Sequence, residues 1–216
     1  MHANRLKACS VINDELILAH GELGDDFHAK GQEIFGKIKK LTLSYQNVLK
    51  IRSLEGLNCL TVLRLDNNLI EKIENLSFLR NLRWLDLSFN CIRTVEGLES
   101  LTSLTDLSLF TNAIEAVAPD NFHGLSRLEA LSLGSNRLRD LPGTIRALKA
   151  LPALRILNLA GNCLNADEYR GNVLFHLRGL AYLDSALVDD AARTLAEDYK
   201  SPGEGGAAME PREGET

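Results

Sequence analysis

A column of leucines recurring at a nearly fixed interval constrains this chain more than any other feature. Aligned on L-x-x-L-x-L-x-x-N-x-L, the first unit reads Ile38, Leu41, Leu43, Gln46, Val48, and the second Leu60, Leu63, Leu65, Asn68, Ile70. The third reads Leu82, Leu85, Leu87, Asn90, Ile92, and the fourth Leu104, Leu107, Leu109, Asn112, Ile114. The fifth reads Leu128, Leu131, Leu133, Asn136, Leu138, the sixth Leu154, Leu157, Leu159, Asn162, Leu164, and a degenerate seventh begins at Leu180 and Leu183. Successive units start 22, 22, 22, 24, 26 and 26 residues apart. A unit of this size cannot bury its own apolar face, so neighbours must stack.

Each column has a physical task. The paired leucines of L-x-L point to one side of a short strand, and the residues between them point to the other. Stacking then gives a parallel sheet with a continuous leucine core behind it. The asparagine column turns the chain out of the strand, its amide bonding backbone groups of that turn and the next. A third apolar series with a spacing of three (Ile51, Leu54, Leu57; Ile73, Leu76, Leu79; Val95, Leu98, Leu101) suits a tight 3₁₀-like return. The extra residues of the longer units, Thr144 to Ala150 and Asp167 to Leu177, are predicted to lengthen that return into true helix. The expected fold is therefore an α/β leucine-rich repeat solenoid of about six repeats, with a curved parallel sheet and helical caps at both ends.

The ends follow from the need to cover an open solenoid. Residues 1–37 are expected to be an N-terminal helical cap, with helices over Ser10 to His20 (N-cap Asn13 or Ser10) and about Asp26 to Phe35. The repeats occupy 38–187. Residues 188–200 should form a C-terminal cap helix, running over Asp189 to Tyr199 after a last strand at Tyr182-Leu183-Asp184. Residues 201–216 are an acidic Gly/Pro-rich tail, with a composition that predicts disorder.

Charge and composition exclude several classes. Of the formal charge of −5, residues 197–216 carry −4, which leaves −1 over the rest of the chain and gives no footprint for nucleic acid. The apolar runs are far shorter than the ~20 residues of a membrane span, and Asn13, Asp14 and Glu15 interrupt the place of a secretory apolar region. The four cysteines (Cys9, Cys59, Cys91, Cys163) form no C-x-x-C and read as reduced thiols. Cys91 and Cys163 share a column three repeats apart, roughly 14 Å at strand spacing, too far for a disulfide.

Three motifs fail on inspection. Gly31 to Lys37 matches most of a phosphate-binding loop, but Ile38 stands where Ser or Thr should hold magnesium, and the segment precedes a strand instead of following one. Asp66, Asn67, Asn68 and Glu71 begin like a calcium loop but lack its glycine and closing glutamate. The five histidines form no H-x-x-x-H pair. The expectation is thus no catalysis, no cofactor and no metal site.

What remains is a surface. The outward strand residues form three columns: Lys40, Val62, Trp84, Asp106, Ala130, Ile156, Tyr182; then Thr42, Arg64, Asp86, Ser108, Ser132, Asn158, Asp184; then Ser44, Asp66, Ser88, Phe110, Gly134, Ala160. Exposed Val62, Trp84, Phe110 and Ile156 would make an apolar strip bordered by Arg64, Asp66, Asp86 and Asp106, the make-up of a protein interface. Small Gly134 and Ala160 would admit a partner closely. The candidate partner-binding residues are Arg64, Asp66, Trp84, Asp86, Asp106, Ser108, Phe110 and Ile156.

The segments Leu63 to Glu74, Trp84 to Asn90, Leu107 to Phe110 and Leu131 to Asn136, with Tyr182 to Asp184 and Asp189-Asp190, resemble the N-terminal repeat domain of dynein regulatory complex subunit 3. The resemblance covers roughly residues 10–199. It implies a non-enzymatic scaffold of the ciliary or flagellar axoneme, in the nexin link between microtubule doublets. Its partners would be coiled-coil subunits of that complex or dynein-associated chains, with no nucleic acid and no membrane. Axonemal dynein light chain 1 shares much of the pattern, and a regulatory subunit of a soluble enzyme such as a protein phosphatase is the other class of reading. The family continues into a long coiled coil after its repeats; here an acidic tail follows.

Overall fold

The computed structural model describes residues 9–23, 31–164 and 169–197. Among these described residues nine strands make one sheet in chain order. The parallel stretch comprises β2 (Ile38–Thr42), β3 (Val62–Arg64), β4 (Trp84–Asp86), β5 (Asp106–Ser108), β6 (Ala130–Ser132), β7 (Ile156–Asn158) and β8 (Tyr182–Leu183). Register follows the repeat: Lys40, Val62, Trp84, Asp106, Ala130, Ile156 and Tyr182 are successive partners, and Leu41, Leu63, Leu85, Leu107, Leu131, Leu157 and Leu183 lie behind them. Those leucines are buried, as are Leu43, Leu65, Leu87, Leu109, Leu133 and Leu159 two residues on. Burying one such side chain contributes about 1.5–3 kcal/mol, so the stacked columns are the main cohesive term.

The asparagine ladder runs the length of the sheet. Asn90 donates to the carbonyls of Leu65 and Leu87 and accepts from the Ile70 amide. Asn112, Asn136 and Asn162 repeat the pattern, each joining its own turn to the preceding one. The residue before this column is left-handed in every unit: Tyr45, Asn67, Phe89, Thr111, Ser135 and Gly161 have φ between 53° and 74°. In the 22-residue units the return is a series of i→i−3 turns, such as Leu57 N to Leu54 O and Leu60 N to Leu57 O. Gly97 closes one return at φ 69°, where a Cβ would stand 2.6 Å from the Ile73 carbonyl oxygen. The longer units place helices there: a 3₁₀ helix at Pro119–Phe122, α2 (Leu141–Leu148) capped by Asp140, and α3 (Tyr169–His176).

The ends differ from the sequence expectation in three respects. Helix α1 is Asp14–His20, with the Asn13 side chain accepting from the Leu16 amide at 2.9 Å, and Ser10 instead bridges to Val48. The chain then forms β1 (Gly21–Leu23), antiparallel to β2, so the N-terminal cap is a helix plus a strand. Of the second predicted helix, residues 26–30 lie outside the described residues, and Gly31–Lys37 is a 3₁₀ helix. At the other end Asp184 and Ser185, both at positive φ, reverse the chain into β9 (Ala186–Leu187) before α4 (Asp190–Glu197). Short antiparallel strands therefore flank the parallel stretch at both ends, a common treatment of open edges. The predicted disordered tail, 201–216, lies outside the described residues.

Candidate functional site

The outward positions of β3, β4 and β5 hold five of the eight candidate residues (Arg64, Trp84, Asp86, Asp106 and Ser108), Asp66 and Phe110 follow two residues after β3 and β5, and Ile156 stands apart on β7, two strands further along the sheet. Trp84 is at the middle of this cluster and half-buried. The Arg64 guanidinium lies over its ring, 5.6 Å from the centroid, while Arg64 Nε is 3.4 Å from Asp66 Oδ1. Arg64 is therefore a bracket between an indole and a carboxylate, not a free charge at the rim.

Asp66 requires a correction. It is buried, because Ser44 donates to its Oδ1 at 2.6 Å and Asn67 Nδ2 to its Oδ2 at 2.9 Å, which folds the carboxylate into the sheet margin. Burial raises its pKa, but the hydrogen bonds from Ser44 and Asn67 and the Arg64 charge outweigh that and hold the group below its ordinary value. Asp66 thus positions Arg64 and offers little surface to a partner. Val62, Trp84 and Phe110 are half-buried instead of exposed, Trp84 under Arg64 and Phe110 against Phe89; Ile156, beside small Ala130, is open.

Asp86 and Asp106 do face solvent in part. Asp86 Oδ1 takes both the amide and the hydroxyl of Ser88, at 3.0 and 2.6 Å. Because the Ser88 hydroxyl donates to Asp86, Ser108 donates to Ser88 across the 2.7 Å contact. Asp106 Oδ2 accepts from Thr105 at 2.6 Å. Among the described residues neither carboxylate is paired with a cation; the ion pairs are Lys40–Glu22, Arg64–Asp66, Lys72–Glu96 and Arg137–Glu115.

One residue of the face escaped the sequence reading. Phe89 follows β4 in the left-handed column, is largely exposed, and packs edge-on against Phe110 with centroids 5.6 Å apart. Its signal was present: Asn67 and Gly161 in the same column mark a position needing positive φ, where an aromatic carries conformational strain. In the far half Gly134 is not an open approach, because the Asn158 side chain lies against it.

At the C-terminal margin Tyr169 on α3 donates to Asp184 Oδ2 at 2.7 Å, and Asp184 Oδ1 accepts from the amides of Leu159 and Ala160. Burial first, then the Asp184 bond and charge, raise the Tyr169 pKa, so its hydroxyl keeps its proton. This arrangement fastens a helix to the end of the sheet. All four cysteines are free. Among the described residues no group of three His, Cys, Asp or Glu side chains is placed to hold a metal, and no helix is long and apolar enough to cross a membrane.

Comparison with known proteins fits this architecture. The leucine-rich repeat family model matches residues 58–114 and 102–164. The chain is 39% identical over 85 residues to leucine-rich repeat-containing protein ODA7 of Chlamydomonas reinhardtii, covering 38% of this chain and 19% of that protein. It is 38% identical over 89 residues to dynein axonemal assembly factor 1 of Homo sapiens, covering 40% of this chain and 12% of that one. The matches thus span less than a fifth of either relative. The crystal structure of an internalin C2 from Listeria monocytogenes superposes with a TM-score of 0.62 at 27% identity, covering 78% of this chain and 71% of the other. The repeats are leucine-rich repeats, and the chain folds as a leucine-rich repeat solenoid.

Proposed function

We propose that this chain is a non-enzymatic scaffold of the axonemal dynein machinery that grips a protein partner with the β3–β5 part of its concave face. The observation that carries the reading is the concentration there of Trp84, Phe110, Phe89 and a fixed Arg64 beside two unpaired carboxylates. Aromatic and arginine anchors inside a polar surround are the usual make-up of an interaction hot spot. The dynein context is supported by two relatives, ODA7 and dynein axonemal assembly factor 1, and by the resemblance of the repeats to the dynein regulatory complex subunit. In the finer form of the proposal the chain sits in the nexin–dynein regulatory complex of the cilium or flagellum and holds coiled-coil or dynein-associated subunits on doublet microtubules. A second reading, favoured by the assembly-factor name of a relative, places its action in the cytoplasm during dynein assembly.

The test is co-isolation of tagged wild type and Trp84→Ala from ciliated cells. Recovery with salt-resistant doublets supports the axonemal form; recovery with soluble dynein chains supports assembly; recovery with a soluble phosphatase overturns both. Trp84→Ala should cost about 2–4 kcal/mol of binding, as a central hot spot does, and under about 1.5 kcal/mol of folding because the leucines behind it are untouched. Ile156→Ala, on the far half, should cost less than about 1 kcal/mol of binding. Strong unfolding by Trp84→Ala with unchanged binding per folded molecule would make Trp84 core, and the face would lose its anchor.

A further inference from the structure

The concave face also carries information about the chemistry of what it grips. Around Trp84 the two cations at outward positions of the described strands, Lys40 and Arg64, are already committed. Lys40 Nζ is 2.8 Å from Glu22 on β1, and Arg64 is held between Asp66 and the Trp84 ring. Each pair is neutral. Asp86 and Asp106 are left as two uncompensated negative charges on adjacent strands, and the register that sets Trp84 beside Asp106 sets Asp86 beside Ser108. Arg64, the register partner of Asp86, makes its ion pair with Asp66 instead.

Apolar surface flanks this charge on both sides. Along β4 and its turn the order is Trp84, Asp86, Ser88, Phe89, with Phe110 against Phe89 from the next unit. One carboxylate therefore lies between an indole and a pair of phenyl rings. The ladder from Ser108 through Ser88 to Asp86 fixes Asp86 Oδ1, and no hydrogen bond from the described residues reaches Oδ2.

Two occupants of the same sign are disfavoured. The chain's own residues 201–216 hold Glu204, Glu210, Glu213 and Glu215 against Arg212. A second copy apposed face to face would bring Asp86 and Asp106 against the same acids. Like charges juxtaposed at an interface are costly.

We infer that the partner is a basic, amphipathic segment of another protein, presenting Lys or Arg to Asp86 and Asp106 and apolar side chains to Trp84 and to the Phe89–Phe110 pair. The inference rests on the proposed use of this face and adds the sign and patterning of the ligand.

Trp84 is the chain's one tryptophan, so its fluorescence reports occupancy directly. The probes are two synthetic amphipathic peptides of equal length, one of leucine and lysine and one of leucine and glutamate, titrated into the full chain. The lysine peptide should shift Trp84 emission and bind at least about tenfold tighter than the glutamate peptide, with affinity falling as salt rises. Asp86→Asn with Asp106→Asn should weaken it by about tenfold or more and flatten the salt dependence, while Phe89→Ala should weaken it without changing the salt slope. Glu115→Gln, away from the face, should change neither.

Equal binding of both peptides, or a double variant that binds the lysine peptide as wild type does, would overturn the inference. So would a change in Trp84 emission on deleting residues 201–216, which would make the tail the occupant. If Trp84→Ala loses its co-isolated partner while the double Asn variant retains it, the face is an interface and only its charge preference is wrong. If neither variant loses a partner, the proposed function fails as well.

Discussion

On β3, β4 and β5 the outward positions hold Val62, Arg64, Trp84, Asp86, Asp106 and Ser108, whereas on β6 and β7 they hold Ala130, Ser132, Ile156 and Asn158. Behind both stretches lie equally buried leucines, Leu63, Leu85 and Leu107 in one and Leu131 and Leu157 in the other. The convex returns differ as well: tight turns serve the 22-residue units, and α2 and α3 serve the 26-residue units. Insertions are therefore absorbed on the convex side without disturbing the sheet register. The inward leucines and the asparagines suffice for the fold, so the outward positions are free to diverge. Of these five strands, β3, β4 and β5 have used that freedom for large aromatic and charged groups, and β6 and β7 have not.

The largest expected effect tests whether the two halves share one core. Leu85→Ala and Leu157→Ala should each destabilise by about 2–5 kcal/mol, the range for a buried leucine in a close-packed interior. Chemical denaturation of both variants checks this. A cost confined to Leu85 would mean that the far half contributes little to the cooperative unit, as repeat proteins sometimes allow.

Next in size is the ladder. Asn112→Ala removes two donated bonds, to Leu87 O and Leu109 O at 3.0 and 3.1 Å, and leaves the Ile92 amide without its acceptor. Leaving such groups unpaired should cost about 1–3 kcal/mol. Asn162→Ala, in a unit whose return is helical, should fall in the same range because its partners, Leu133 O, Leu159 O and the Leu138 amide, are of the same kind. A much smaller loss at Asn162 would show that a helical return can replace the ladder.

Gly97→Ala probes what the short returns demand. The substitution combines a left-handed backbone with a collision against Ile73 O, and strain of this type costs on the order of 1–3 kcal/mol. Thermal melting should show the loss.

The repeat made most of this legible in advance. The strand register, the inward leucines, the asparagine bonds and the helices of the longer units follow from period and column, because each column has one structural task. Less legible were β1 and β9, since they lie outside the repeat columns and form only because an edge is there to pair with. The site was half readable. Column position placed Trp84, Asp86 and Asp106 correctly on the face, but a column does not say which way a polar side chain turns. Ser44, one unit away, draws Asp66 inward, and Trp84 draws Arg64 sideways. Phe89 is not legible from the pattern because the turn column is defined by its asparagine, and the residue before it shares only a left-handed backbone with its counterparts.

The smallest expected effect separates Asp66 from Asp86 and Asp106, the carboxylates of the proposed interface. Its pKa is lowered from an unfolded value of 3.8, so its stabilising contribution is fully present above that value. It is lost as pH falls through the lower folded value, where the proton now bound weakens the acceptor of Ser44 and Asn67 and removes the charge that faces Arg64. The measurement is the melting temperature of wild type and Asp66→Asn across pH. The gap between them should be constant from about pH 5 to 7 and narrow steadily below 3.8. Peptide binding at neutral pH should drop only modestly in Asp66→Asn, because Arg64 keeps its place over Trp84 while losing one tether. A gap that persists unchanged at low pH would mean that hydrogen-bond geometry, and not charge, is what Asp66 supplies. A loss of peptide binding as large as that of the Asp86 and Asp106 variant would return Asp66 to the contact surface that its burial now denies it.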